Sequence, residues 1–288
     1  MRFESPLEIR ERQRARRAAR SAAMLLLAAS TIFAAGGCST VELVAHRGAS
    51  HDAPENTLAS VNLGWERGAD GVEVDVYLSK DGRVVAIHDG STKRTAGFDK
   101  AVRDQTLAEL KTLDAGSWKA EKWKGERIPT LAEVLDTIPE GRYMLVEVKC
   151  GPEIAPEMVR VVRNSGKKTN QIRFISFSLE VCAELKKALP AHKVHYISGF
   201  GHDKETDVWT PTAEELIQRA LGAGLDGLDL NAADPVAAAF VRKVRKAGLD
   251  MHVWTVDSPE LARRMAEAGV QSITTNRPGL LRQALAEE

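Results

Sequence analysis

Four short segments bring together side chains suited to chemistry: His46-Arg47, Glu73-Val74-Asp75, His88-Asp89 and Glu147-Val148-Lys149. Glu73 and Asp75 are two residues apart, as are Glu147 and Lys149, so on a strand each pair projects to one side. Three carboxylates converging on one point repel one another unless positive charge joins them. A hard divalent cation such as Mg²⁺ or Ca²⁺ takes oxygen ligands of this kind. Ion pairing with Arg47 and Lys149 would also answer the repulsion, and spacing alone leaves both readings open. His46 and His88 beside such a centre suit general acid and base work, because imidazole titrates near neutrality. The other histidines (His51, His192, His195, His202 and His252) lack that setting and are read as structural.

Residues of this kind have to be carried to one place by strand ends. Runs rich in β-formers occur at Val41–His46, Gly71–Leu78, Val84–His88, Tyr143–Lys149, Ile172–Phe177, Lys193–Ser198, Gly227–Leu230, Met251–Thr255 and Gln271–Thr275. Several are apolar without alternation, as strands covered on both faces are. Helical patterns lie between them, and a helix stop feeding a strand recurs at Gly68-Ala69-Asp70, Gly224-Leu225-Asp226, Gly248-Leu249-Asp250 and Gly269-Val270. Ser258-Pro259 predicts a helix start and Gly269 its end. Repeated βα units over the 251 residues from Cys38 to Glu288 predict one (β/α)8 TIM barrel. The run at Val84–His88 is one strand too many. Asp81-Gly82 makes it the returning arm of a β-hairpin, with His88 expected opposite Asp75. Residues 89–128, longer than a usual barrel loop, predict a small insertion after the second barrel strand, with a short helix near Leu107–Leu110.

Charge divides the chain. Lys+Arg and Asp+Glu balance at 40 each, which argues against a nucleic-acid binder, and 43% hydrophobic residues argue against disorder. The balance hides seven Arg against three Glu in residues 1–37, net +4, leaving 33 basic against 37 acidic residues in the rest, net −4. After Arg20 come seventeen uncharged residues, Ser21–Gly37. A basic start, an apolar run too short to span a bilayer and small residues at its end predict a removable export signal. Ala35-Gly36-Gly37-Cys38 resembles a bacterial lipobox, although Ala35 stands where Leu is usual. It predicts lipidation at Cys38 and a periplasmic or membrane-anchored lipoprotein of a bacterium. Cys150 and Cys182 are read as small buried hydrophobes, not as a pair.

His46-Arg47-Gly48, Ala53-Pro54-Glu55-Asn56-Thr57, Glu73-Val74-Asp75-Val76, Lys80-Asp81-Gly82, Val85-Ala86-Ile87-His88-Asp89, Ile128-Pro129-Thr130-Leu131, Glu147-Val148-Lys149 and Val253-Trp254-Thr255-Val256 resemble, in order, the signature of the glycerophosphodiester phosphodiesterases. The resemblance implies a metal-dependent TIM barrel that cleaves a small-molecule glycerophosphodiester to sn-glycerol 3-phosphate and an alcohol. It implies metal ligation by Glu73, Asp75 and Glu147, and acid–base roles for His46 and His88. It also implies phosphate contacts by Arg47 and Lys149, with Trp254 as an apolar wall beside the glycerol. In the family, attack is expected to begin with the glycerol 2-OH, giving a cyclic phosphate that water opens. We assign His46 as acid and His88 as base. One departure is Thr275-Asn276-Arg277-Pro278, where the family commonly has Thr-Asp before the Pro. It lies outside the metal set and is expected to affect loop packing more than catalysis.

Two alternatives are a lysophospholipase D-like phosphodiesterase and an inactive surface-anchored binding protein. Retention of both histidines and all three carboxylates speaks against the second. Against the first, only Ser39 and Thr40 separate Cys38 from the first strand, so a lipid tether would turn the active mouth away from the bilayer. An acidic domain acting on a phosphate anion must attract it locally, through a metal, Arg47 and Lys149.

Overall fold

The computed structural model describes residues 41–286; the expected export signal at 1–37 and the expected lipidation site Cys38 lie outside them. Eight parallel strands close into a barrel: β1 (Glu42–Ala45), β2 (Gly71–Leu78), β4 (Tyr143–Val148), β5 (Ile172–Ser176), β6 (Lys193–Ser198), β9 (Gly227–Asn231), β10 (Asp250–Trp254) and β11 (Ser272–Thr275). β1 pairs with both β2 and β11, which closes the ring. β3 (Val84–Ala86) runs antiparallel to β2 as an arm, and β7 (Gly201–Asp203) with β8 (Val208–Thr210) forms a separate exposed hairpin.

Each barrel strand buries both faces. On β4, Met144, Val146 and Val148 pack outward with Val72, Val74 and Phe174 against the helices. Tyr143 and Leu145 point inward and join Val44, Ile175 and Ile197. This double burial is why the strand sequences lack alternation. The helices start where side-chain caps stand: the hydroxyl of Thr57 accepts from Ser60 N, that of Thr130 from Glu133 N, and that of Ser258 from Leu261 N. Gly269 ends the last of these in the left-handed conformation. Two junction aspartates then fasten the strands, because Asp70 accepts from Leu43 N at 2.9 Å and Asp226 from Val194 N at 2.8 Å.

The hairpin register differs from the expectation by one residue. Val76 pairs with Ala86 and Leu78 with Val84, and Ile87 N donates to Asp75 O at 3.0 Å, so Ile87, not His88, stands opposite Asp75. The turn has three residues, Lys80 to Gly82, between Ser79 and Arg83, whose backbones bond at 2.9 Å. Gly82 takes φ +72°, the left-handed position that such a loop needs. Asp-Gly serves two- and three-residue loops alike, and the longer one shifts every partner by one.

Beyond the arm, residues 89–128 wrap the barrel rim and carry the predicted short helix at Leu107–Leu110, closed by a Thr106–Glu109 capping box. Ile87, Val102, Leu110, Ala115 and Ile128 bury together against Val85. The segment therefore has a core of its own. Cys182 is buried, Cys150 is half-buried, and both are free thiols. Among the described residues no helix is long and apolar enough to cross a membrane.

Candidate active site

A cavity of about 290 Å³ opens at the C-terminal ends of the barrel strands. His46, Arg47, Glu73, His88, Glu147, Lys149 and Trp254 line it, each singled out by the sequence. Asp75 sits beneath the wall, fully buried. A larger open depression of about 700 Å³, lined by Glu42, Asp70, Arg142 and Arg173, holds none of these groups.

The carboxylates are held by a compact set of braces. Arg47, at φ 55°, turns the chain so that its N–H donates to Glu73 Oε2 at 2.8 Å. Its guanidinium lies 3.2 Å from Asp75 Oδ2 and donates to Glu55 Oε1 at 3.1 Å. Asn56, at φ 56°, grips Asp75 from both sides: Nδ2 donates to Asp75 Oδ2 at 2.9 Å, and Asp75 N donates to Asn56 Oδ1 at 3.0 Å. Lys149 Nζ donates to Glu147 Oε1 at 2.7 Å and lies 3.6 Å from Asp75 Oδ1. Ion pairing with Arg47 and Lys149 is thus present, yet it does not saturate the cluster. Glu73 Oε1 and Asp75 Oδ1 are buried and accept no hydrogen bond. One oxygen from each of Glu73, Asp75 and Glu147 lies within 4.8 Å of the others. Oxygens without donors, drawn together, fit a divalent cation.

Burial, followed by the charges of Asp75 and Glu147, pushes the Glu73 carboxyl well above its ordinary value. Burial and then Asp75 push Glu147 up to about 7. In the metal-free protein these groups hold protons that the unfolded chain releases near pH 4.5, so stability falls as pH rises from about 4.5 to 7. For Glu147 alone this is on the order of 3 kcal/mol. Thermal melts of EDTA-treated protein between pH 5 and 8 should show the decline, and E147Q should show a shallower one. Superimposable slopes for the two proteins would refute the repulsion.

The two imidazoles differ in their partners. His88 Nδ1 lies 2.7 Å from Asp89 Oδ1, and Nε2 lies 3.5 Å from Lys149 Nζ. Arg94 holds Asp89 at 2.7 Å and also forks onto Glu55, at 2.9 and 2.7 Å. The Arg94 bond, followed by His88, draws the Asp89 carboxyl down to about 2. His46 Nδ1 lies 2.7 Å from Asn276 Oδ1. Asn276 Nδ2 donates to Asp257 Oδ2 at 2.6 Å, so the amide must present its oxygen to the ring. Asn276 therefore touches His46 directly, at a departure expected to bear on loop packing more than on catalysis. Burial and the neighbouring Arg47 lower the His46 pKa.

Several residues of the site went unassigned in the sequence. Glu55 and Asn56 stood in a recognised motif without a role. Asp229, on β9 and inside the cavity, has its carboxyl raised to about 8 by burial and then by Glu147. Gly227-Leu228-Asp229 repeats the inward parity of the other strands and could have signalled it. Phe177 is 49% exposed at the rim and meets Trp254 edge-on, 5.6 Å between ring centres.

A TIM barrel whose C-terminal mouth gathers three carboxylates, two imidazoles and two cations has the makings of an enzyme active site. The sequence profile of the glycerophosphoryl diester phosphodiesterase family matches residues 46–280. The glycerophosphodiester phosphodiesterase of Caldanaerobacter subterraneus subsp. tengcongensis is 34% identical, with 83% of this chain and 95% of the relative covered. Among solved structures, an Oleispira antarctica phosphodiesterase, in complex with the product sn-glycerol-3-phosphate, superposes with a TM-score of 0.77 at 30% identity, covering 85% and 96% of the two chains. The Thermotoga maritima glycerophosphodiester phosphodiesterase superposes with 0.67 at 30% identity, covering 84% and 97%. The chain belongs to the glycerophosphoryl diester phosphodiesterase family.

Proposed function

We propose that this glycerophosphodiester phosphodiesterase uses a divalent cation at Glu73, Asp75 and Glu147, and proton transfer through His46 and His88, to release sn-glycerol 3-phosphate and an alcohol. The observation that carries the reading is the pair of buried, donor-free oxygens, Glu73 Oε1 and Asp75 Oδ1, beside two imidazoles on one cavity. When bound, the cation supplies positive charge to the phosphodiester and to the charge that builds during displacement. Arg47 and Lys149 orient the phosphoryl oxygens on the same wall. Asp89 accepts the Nδ1 hydrogen of His88, which leaves Nε2 as a lone-pair nitrogen toward the cavity, the arrangement of an oriented base. His88 takes the proton of the attacking hydroxyl, the glycerol 2-OH or water, as its oxygen bonds to phosphorus. His46 returns a proton to the alcohol oxygen as its P–O bond breaks. Where the 2-OH has attacked, water then adds to the cyclic phosphate and the bond between phosphorus and the glycerol 2-oxygen breaks, giving sn-glycerol 3-phosphate. The two imidazoles exchange their proton roles in that step. Burial disfavours the imidazolium of His46 in the free site, and an incoming phosphodiester anion favours it.

The test is release of sn-glycerol 3-phosphate from glycerophosphocholine before and after chelation, with Mg²⁺ or Ca²⁺ returned. Activity indifferent to chelation would rule out the carboxylate site. A finer test concerns Asn276, whose oxygen fixes the His46 tautomer. N276A should lower kcat about 10- to 100-fold, with KM within about twofold, because the imidazole loses its orientation while the phosphate contacts remain. Wild-type kcat in N276A would remove Asn276 from the mechanism.

The exposed Phe177 beside Trp254 favours a second reading, in which an apolar acyl chain rests on the rim, as a lysophospholipase D-like activity requires. Comparing glycerophosphocholine with lysophosphatidylcholine decides between them. Export and lipidation at Cys38 belong to the same proposal, on the strength of the uncharged run and the small residues before the cysteine.

A further inference from the structure

At the opposite end of the barrel, β6 and β10 flank β9 and bring His195, Asp250 and His252 together. One donor atom from each lies within 4.8 Å of the others. The strand between them makes the meeting possible. Gly227 stands in register with both His195 and Asp250, and a Cβ there would lie 2.8 Å from Asp250 Cβ and 3.0 Å from His195 Cδ2. The two rings stack at 4.5 Å, 24° apart, with His195 1% and His252 4% exposed.

Their hydrogen bonding is incomplete. His252 Nδ1 meets Ser272 Oγ at 2.6 Å, but His252 Nε2 and both nitrogens of His195 have no hydrogen-bond partner. Asp250 Oδ2 is 3.6 Å from His195 Nε2, too far for a hydrogen bond. A buried imidazole N–H without an acceptor has given up its water and received no hydrogen bond in return. Asp250 also departs from the role of its counterparts Asp70 and Asp226. Among the described residues it caps no strand N–H, and its carboxylate is held instead by Gln271 Nε2 at 2.7 Å and by Lys193.

We propose that His195, Asp250 and His252 form a second cation site, for a divalent ion of the borderline class that takes imidazole and carboxylate together, Zn²⁺ being the representative. The lone pairs of stacked rings run side by side, so the two rings must turn out of the stack about their side-chain bonds before the ion ties β6 to β10 across β9. Burial holds both rings neutral, as ligation requires. The facing cations leave room for it. Lys193 is half exposed and can swing from Asp250 into solvent, and Arg173 is occupied by Glu42 at 3.0 Å and by the Tyr143 ring. The site is chemically distinct from the all-oxygen cluster at the mouth, so the two are separable by metal type and stand or fall independently.

The experiment titrates Zn²⁺, and Co²⁺ as its coloured substitute, into EDTA-stripped and dialysed full-length protein with Mg²⁺ in excess to occupy the mouth. One equivalent should bind, raise Tm and perturb the ring resonances of His195 and His252 in the unaltered chain. Binding should persist in E73Q and weaken about tenfold or more in D250N and H252Q. Zn²⁺ that leaves those resonances unmoved, or that is lost in E73Q but not in D250N, overturns the proposal. The resonance readout needs no variant, so a misfolded H252Q does not shield the idea.

Discussion

E73Q should be nearly inactive and, without metal, more stable than the wild type. The amide keeps a carbonyl oxygen for the Arg47 N–H and fits the same volume, so the scaffold is preserved. It removes the carboxylate that burial and two like charges already disfavour, which relieves the metal-free protein at neutral pH. It also removes one of three anionic ligands. Losing the cation's share of transition-state stabilisation, several kcal/mol at 1.36 kcal/mol per factor of ten, lowers kcat by about a thousandfold or more. Melts in EDTA at pH 7.5 and assays in Mg²⁺ test both halves. An E73Q enzyme that is destabilised and still active would show that Glu73 is an ordinary structural carboxylate.

H88A should lower kcat by about 10² to 10⁴ while leaving KM for glycerophosphocholine within a few-fold, since Arg47 and Lys149 hold the anion without it. D89N should cost less, because it disturbs the orientation of the ring and spares the ring itself. The ordering matters more than either figure. If D89N were as damaging as H88A, Asp89 would be acting through Arg94 and the Glu55 fork, which it shares with the Arg47 brace, and not through His88. Undiminished turnover in H88A would end the two-histidine mechanism.

The barrel was legible in the sequence because its physics is local. Strands covered on both faces read as apolar runs, helix caps sit at fixed offsets, and the Gly-to-Asp junctions repeat. The arm was legible for the same reason, but its register was not, since Asp-Gly serves loops of two lengths. The exposed hairpin of β7 and β8 went unseen because no residue of Gly201–Asp203 is buried, so no hydrophobic pattern marked it. The site residues at strand ends could be named from parity. Asn56 could not be given its work, because that depends on a left-handed turn folding back onto Asp75, nineteen positions away. Asn276 looked like loop packing because its contact with His46 spans 230 residues. His195 and His252 read as ordinary strand histidines until barrel closure set them across one glycine.

Inside the barrel, Val44, Leu145, Ile175 and Ile197 place aliphatic side chains on β1, β4, β5 and β6 between the charged mouth and the polar floor. That side offers no relay for protons. On the other side Asp229, which lines the mouth, stands in register with His252 of the floor cluster. The two ends should therefore communicate through β9 and β10, and substitutions at Asp229 and His252 should combine non-additively in stability.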